Sequence, residues 1–99
     1  MFVNVFTYSA KAGQEDAVLA LLEDWERNRR PHAPGFVSAE VFRDIKDPRS
    51  FINIARFESA EAAQAVANNP DQDAWYRRLV DLCESEPVFT DCSVAWQSR

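Results

Sequence analysis

The strands of this chain are apolar on both faces, and the chain supplies only enough helix to cover one of them. In residues 2–8, alternation puts Phe2, Asn4, Phe6 and Tyr8 on one side and Val3, Val5 and Thr7 on the other. Residues 51–57 divide into Phe51, Asn53, Ala55 and Phe57 against Ile52, Ile54 and Arg56. Residues 36–42 divide into Phe36, Ser38, Glu40 and Phe42 against Val37, Ala39 and Val41. An antiparallel sheet ordinarily leaves one face wet and polar. Here one face is aromatic and the other mostly aliphatic. The second face needs a lid, and the expected lid is a second copy of the chain.

The order of elements reads strand, helix, strand, strand, helix, strand. The first strand runs over Phe2–Tyr8 and turns at Lys11-Ala12-Gly13. A helix over Gln14–Arg30 places Val18, Leu21, Leu22 and Trp25 at helical spacing, with Glu23–Arg27 and Glu26–Arg30 as i,i+4 pairs. Pro31 and Pro34-Gly35 end it. The second strand covers Phe36–Arg43, Asp47-Pro48-Arg49-Ser50 turns, and Phe51–Phe57 returns as a hairpin. Ser59 is the N-cap of an alanine-rich helix, Ala60–Ala67. Asn69 caps a second helical piece that begins at Pro70 and carries Trp75, Tyr76, Leu79, Val80 and Cys83 on one face. The last strand covers Val88–Trp96. This βαββαβ order predicts one α+β domain over residues 1–99, a ferredoxin-like sheet with its helices on one face. The bare face predicts a homodimer formed through the sheet faces.

Composition narrows the partners. The net charge is −5, and no basic stripe is present, so no nucleic-acid footprint is expected. The densest positive run, Arg27, Arg29 and Arg30, sits at a helix end, where cations complement the dipole. No run of about 18 apolar residues exists, so no membrane span is expected. Met1 leads straight into a strand without a basic region, so no signal peptide is expected. Cys83 and Cys92 lack metal-ligand spacing and read as reduced thiols of a cytoplasmic protein. His32 is the only histidine, and alone it makes a poor metal site. Gly13 and Gly35 are the only glycines, so no phosphate loop or nucleotide cofactor is supported.

Three stretches carry a family resemblance: the end of the first strand with Ser9-Ala10-Lys11-Ala12-Gly13; Ala33-Pro34-Gly35-Phe36-Val37 leading into Glu40-Val41-Phe42-Arg43; and Phe51–Phe57 with Glu58-Ser59-Ala60-Glu61-Ala62. Together they resemble the antibiotic-biosynthesis-monooxygenase-like proteins of the dimeric α+β barrel superfamily. The resemblance implies a ferredoxin-like subunit paired into a dimeric barrel. It implies one of several roles: cofactor-independent oxygenation of polyketide-like phenols and quinols, haem degradation, or no activity. Haem-degrading relatives use an Asn, a Trp and an iron-ligating His where this chain aligns Phe6, Val66 and Tyr76, which argues against haem. Quinol-oxygenating relatives often carry an acid and then an aromatic late in strand three, where Ala55 and Phe57 stand here. Many relatives place a His near Asn68 and Asn69.

Oxygenation without a cofactor requires a desolvated, electron-rich substrate, a proton acceptor and donors to a growing oxyanion. Asn4, Tyr8, Asn53 and Tyr76 are the candidate catalytic residues. Asn4 and Asn53 share the aromatic face on neighbouring central strands; each is either a ligand contact or a structural amide satisfied within the protein. Tyr8 and Tyr76 either donate to an oxyanion or keep their hydroxyls at the surface. Phe6, Trp25, Val66 and Trp75 are the candidate pocket walls, although tryptophans so placed are more often core. Trp96 is read as interface. The alanine helix either lies close to the sheet or roofs a cavity. Three functions fit these residues: a cofactor-independent monooxygenase acting on a small aromatic, quinol or polyketide-like molecule; a dimeric binding protein for such a molecule; or a structural dimer with a filled core.

Overall fold

A computed structural model describes residues 1–99. The elements are β1 (Phe2–Ser9), α1 (Glu15–Asp24), β2 (Phe36–Arg43), β3 (Ser50–Phe57), α2 (Ala60–Ala67), α3 (Pro70–Asp81) and β4 (Val88–Ser93). The strands form one antiparallel sheet in the order β2-β3-β1-β4, with β1 and β3 at its centre. This is the ferredoxin-like arrangement that the element order predicts. No helix is long and apolar enough to cross a membrane.

The helix starts follow from local chemistry. Ser59 Oγ accepts from the Ala62 amide at 3.1 Å, and Asn69 Oδ1 accepts from the Asp71 amide at 2.9 Å. Pro70 opens α3 at a position where a missing N–H costs nothing. The first helix departs from its expected course. After Asp24 the chain widens into a π-turn over Trp25–Arg29, then tightens into a 3-10 turn over Arg30–His32. The Arg30 amide reaches back to the Trp25 carbonyl, five residues earlier. Glu26 pairs with Arg30 as expected, whereas Glu23 and Arg27 form no ion pair.

The register assigns the faces. Across β1 and β3, Phe2 lies opposite Phe57, Asn4 opposite Ala55, Phe6 opposite Asn53 and Tyr8 opposite Phe51, so the aromatic face is continuous. On β2 the simple alternation fails. The pairing steps from Phe36↔Phe57 to Ser38↔Arg56, which leaves Val37 as the extra residue of a β-bulge. The bulge exchanges the faces of the rest of the strand. Phe36, Ala39 and Val41 therefore lie under the helices, while Ser38, Glu40 and Phe42 lie on the open face. Strand β4 ends at Ser93, opposite Phe2, and so is shorter than the expected Val88–Trp96. Trp96 lies past the strand and is 82% exposed.

The core lies between the aromatic face and the helices. Val18 of α1, Phe51 of β3 and Leu79 of α3 are fully buried, and Phe6, Tyr8, Leu21 and Trp75 pack around them. The Trp75 indole donates to the Leu21 carbonyl at 3.0 Å, which ties α3 to α1. A smaller cluster of Ala33, Phe57 and Val66 fixes α2 to the sheet. On the open face Phe42, Ile52 and Val88 are 46%, 42% and 67% exposed. Arg56 and Glu40 pair there at 3.1 Å.

Candidate functional site

Two cavities open beneath the helices. One, of about 470 Å3, lies between α1, β2 and the sheet. The other, of about 550 Å3, lies between α2, α3 and the β1–β4 edge. They share a wall built from Asn4, Phe6, Phe57, Val66, Gln72 and Trp75. The alanines of α2 explain the second space. Ala60, Ala63 and Ala67 line it without filling it, while Ala62 packs towards Gly35.

Of the residues singled out in the sequence, Asn4, Phe6, Val66 and Trp75 line both cavities. Asn53 and Trp25 line the first, and Tyr76 lines the second. Tyr8 lines neither. Its ring stacks between Phe6 and Phe51, and its hydroxyl donates to Asn53 Oδ1 at 2.7 Å. Tyr8 thus meets the first cavity through Asn53. His32 lines neither cavity. No group of three or more His, Cys, Asp or Glu side chains that could hold a metal is present.

The hydrogen bonds orient the polar lining. Asn53 is only 6% exposed, and its amide oxygen is occupied by Tyr8. Its amide hydrogens have no acceptor within the chain and are available to the cavity that Asn53 lines. Burial, and then the nearby Cys83, push the Tyr8 hydroxyl well above the ordinary tyrosine range, so it remains a proton-bearing donor. Asn4 lies diagonally across from Asn53 and donates to Asp91 Oδ1 at 3.1 Å. Burial, then the Glu86 and Cys83 charges, also raise Tyr76, whose hydroxyl is unpaired within the chain. Its ring packs edge-on against Phe89 at 5.6 Å.

Two residues that the sequence reading passed over complete the site. Gln72 lies three and four residues before Trp75 and Tyr76, so it shares their helix face, and that spacing was the available signal. Its Oε1 accepts from the Trp25 indole at 2.8 Å. Asp91 alternates with Phe89 on β4 and lines the second cavity. Neither cavity is lined by a lysine, arginine or histidine. The side-chain donors that a growing negative charge would meet are therefore all neutral, among them the carboxamides of Asn4, Asn53 and Gln72 and the Tyr76 phenol, while Glu23, Glu26, Asp73 and Asp91 put carboxylates in the same linings.

This sheet order, with an aromatic, amide-lined space beneath the helices, defines the chain as a ferredoxin-like α+β protein with a small-molecule-sized cavity. It is similar to a crystal structure of an antibiotic biosynthesis monooxygenase, with a TM-score of 0.81 at 18% identity, covering 96% of this chain and 99% of that one. It is similar to SnoaB, a cofactor-independent oxygenase from Streptomyces nogalater, with a TM-score of 0.79 at 15% identity, covering 97% and 94%. It is also similar to Rv0793 from Mycobacterium tuberculosis, with a TM-score of 0.81 at 13% identity, covering 99% and 98%. Comparison with curated protein sequences gives no significant match. The antibiotic biosynthesis monooxygenase family model matches residues 1–78, and the chain belongs to that family.

Proposed function

We propose that this protein is a cofactor-independent monooxygenase that oxidises a small aromatic, quinol-type or polyketide-like substrate with O2. The observation that carries the reading is the buried Asn53 amide, whose hydrogens are turned to an aromatic-walled cavity by the Tyr8 hydroxyl at 2.7 Å. Family membership supports the reaction class. An anthrone- or naphthol-type substrate loses one proton, and its enolate or phenolate passes an electron to O2. The two radicals join in a carbon–oxygen bond, and loss of water from the hydroperoxide leaves a quinone. One oxygen atom ends in the quinone and the other in water, so no external reductant is consumed.

In this scheme Phe6, Trp25, Val66 and Trp75 hold and desolvate the ring. Asn53 donates to the developing oxyanion, with Tyr76 reachable from the second cavity. Asp91 takes the proton. It lines the second cavity, has no cationic partner, and accepts from the Asn4 amide at 3.1 Å. Asp91→Asn is expected to lower turnover about 100-fold, the low end of the usual range for one acid–base group, with ligand affinity unchanged. Steady-state oxygen uptake beside binding titrations checks this. An unchanged rate would remove Asp91 from the scheme.

The decisive assay is oxygen consumption with anthrone, using protein treated with chelator. Uptake matched one-to-one by anthraquinone supports the monooxygenase. Tight binding without uptake would instead favour a non-catalytic binding protein, a reading suited to the wholly neutral set of donors. No response of any kind would favour a structural role.

We also propose a homodimer paired through the open sheet faces. Exposed Phe42, Ile52 and Val88 support it, since a patch of this kind is costly in a monomer. Ile52 stands on the central strand β3, so Ile52→Asp is expected to convert a species of twice the 11.3 kDa chain mass into a monomer. Light scattering reads the result, and a wild-type monomer would sink the proposal. Unpaired Cys83 and Cys92 are consistent with a cytoplasmic setting.

A further inference from the structure

We infer that Gln72 is a specificity-determining residue that selects ligands presenting an acceptor oxygen, a ketone or quinone-type carbonyl, at the wall between the two cavities. The inference rests on the oxygenase reading for where the ligand sits, and on the contacts of Gln72 and Trp25 for what Gln72 does.

An isolated glutamine offers a ligand either a donor or an acceptor, because its amide can turn over. Gln72 cannot do so freely. The Trp25 indole nitrogen carries a hydrogen and no lone pair for bonding, so it can only donate. It donates to Gln72 Oε1 at 2.8 Å. Turning the amide over would set two donors against each other and leave the indole without a partner. The Gln72 oxygen is therefore fixed on Trp25, and its two amide hydrogens are left for whatever occupies the cavities. No acceptor within the chain takes them.

Trp25 is itself held in place. Its ring packs edge-on against Phe36 with centroids 4.8 Å apart. Its carbonyl closes the π-turn by accepting from the Arg30 amide. π-turns of this kind re-aim the side chains of a helix, and they recur at ligand sites. Phe36 reaches Trp25 because it precedes the bulge at Val37 and faces the helices. The donor sense of Gln72 is thus set by two backbone irregularities on separate elements.

The charge pattern sets which ligand chemistry is favoured. Without a cationic side chain in either lining, an acceptor oxygen on the ligand is met by neutral donors, among them Gln72, Asn53, Asn4 and Tyr76. Asn4 and Gln72 both border the two cavities, but Asn4 gives an amide hydrogen to Asp91 and keeps its oxygen free, whereas Gln72 has its oxygen on Trp25 and both amide hydrogens free. A ligand placing a carbonyl there gains a hydrogen bond in a half-buried setting, and a ligand placing an N–H there meets two opposing donors. Sites that hydrogen-bond a polar group discriminate strongly against analogues lacking it.

The test uses two unreactive ligands of nearly equal shape, 1-tetralone with a carbonyl and tetralin without, titrated by tryptophan fluorescence under nitrogen so that no turnover occurs. Wild-type protein is expected to bind the ketone at least tenfold more tightly than the hydrocarbon. In Gln72→Glu a carboxylate oxygen still accepts from Trp25, but no hydrogen faces the ligand. The preference for the ketone should fall at least fivefold while tetralin binding stays within twofold. Trp25→Phe removes the indole donor and lets the Gln72 amide turn over, so it should reduce the preference as well. A purely structural role for Gln72 would weaken both ligands together. An unchanged preference in Gln72→Glu with an unaltered melting curve overturns the inference, as does a wild-type protein that binds neither ligand. The oxygen-uptake assay is separate: a lost preference in Gln72→Glu with no uptake in the wild type leaves the inference standing and removes the oxygenase.

Discussion

Replacing Asn53 with leucine is expected to abolish most oxygen uptake, by about 100-fold, the scale seen when one oxyanion donor is removed. The loss has two parts, and they can be separated. The chemical part is the missing pair of amide hydrogens in the first cavity. The structural part is the Tyr8 hydroxyl, which is buried and loses its acceptor at 2.7 Å. An orphaned buried hydroxyl costs roughly 1–3 kcal/mol. For a domain of this size each kcal/mol lowers the melting temperature by about 4–8 °C. Removing both partners in Tyr8→Phe/Asn53→Leu should recover much of that stability, because no polar group is then left unpaired. It should recover none of the activity. Tyr8→Phe alone removes the hydroxyl that occupies the Asn53 oxygen, and activity should fall while the residue nearest the substrate is unchanged. Activity within threefold of wild type in Asn53→Leu would remove Asn53 from the mechanism.

The second large effect concerns Gly35, where a methyl group should destabilise the fold severely. Gly35 has φ +84°, a conformation in which side chains are strained. A Cβ there would also lie 2.6 Å from the Ala62 Cβ, well inside van der Waals contact. The Gly35 carbonyl accepts from the Glu58 amide at 2.8 Å, so the backbone is not free to retreat. Strain of this kind costs about 1–3 kcal/mol, and overpacking adds typically about 1–3 kcal/mol. The sum is a large share of the roughly 5–15 kcal/mol that holds a domain folded. Gly35→Ala should therefore lower the melting temperature by at least about 10 °C. Gly13→Ala is the control, because Gly13 has φ +79° but nothing within 4 Å of an added Cβ. It should show the strain alone. Removing the opposing methyl in Gly35→Ala/Ala62→Gly should return part of the difference. Equal losses at the two glycines would mean that the close approach of α2 to the start of β2 contributes nothing. That approach also seats Val66 over Phe57, so the shape of both cavities depends on it.

Much of this was legible in the chain itself. The alternation in β1 and β3 put Asn4, Phe6 and Asn53 on one face, and the register keeps them there. Ser59 and Asn69 announced their helices through side chains that satisfy free backbone amides one turn ahead. The alanines of α2 signalled missing bulk, and the second cavity lies beside them. The family resemblance carried by the Pro34-Gly35 turn and the β3–α2 junction agrees with the family model. Face alone determines that the Tyr8 ring lies under the helices, but not which group its hydroxyl meets.

Element order, the helix caps, the aromatic face and the excess of apolar surface each depend on residues a few positions apart, so the chain specifies them locally. The bulge at Val37, the π-turn at Trp25, the use of Tyr8 on Asn53 and the donor sense of Gln72 were decided by packing in three dimensions. Trp25 and Gln72 are 47 residues apart, and Tyr8 and Asn53 are 45 apart. Which way an amide points is settled by the partner that packing brings to it, and periodicity along a chain carries no information about a partner that distant.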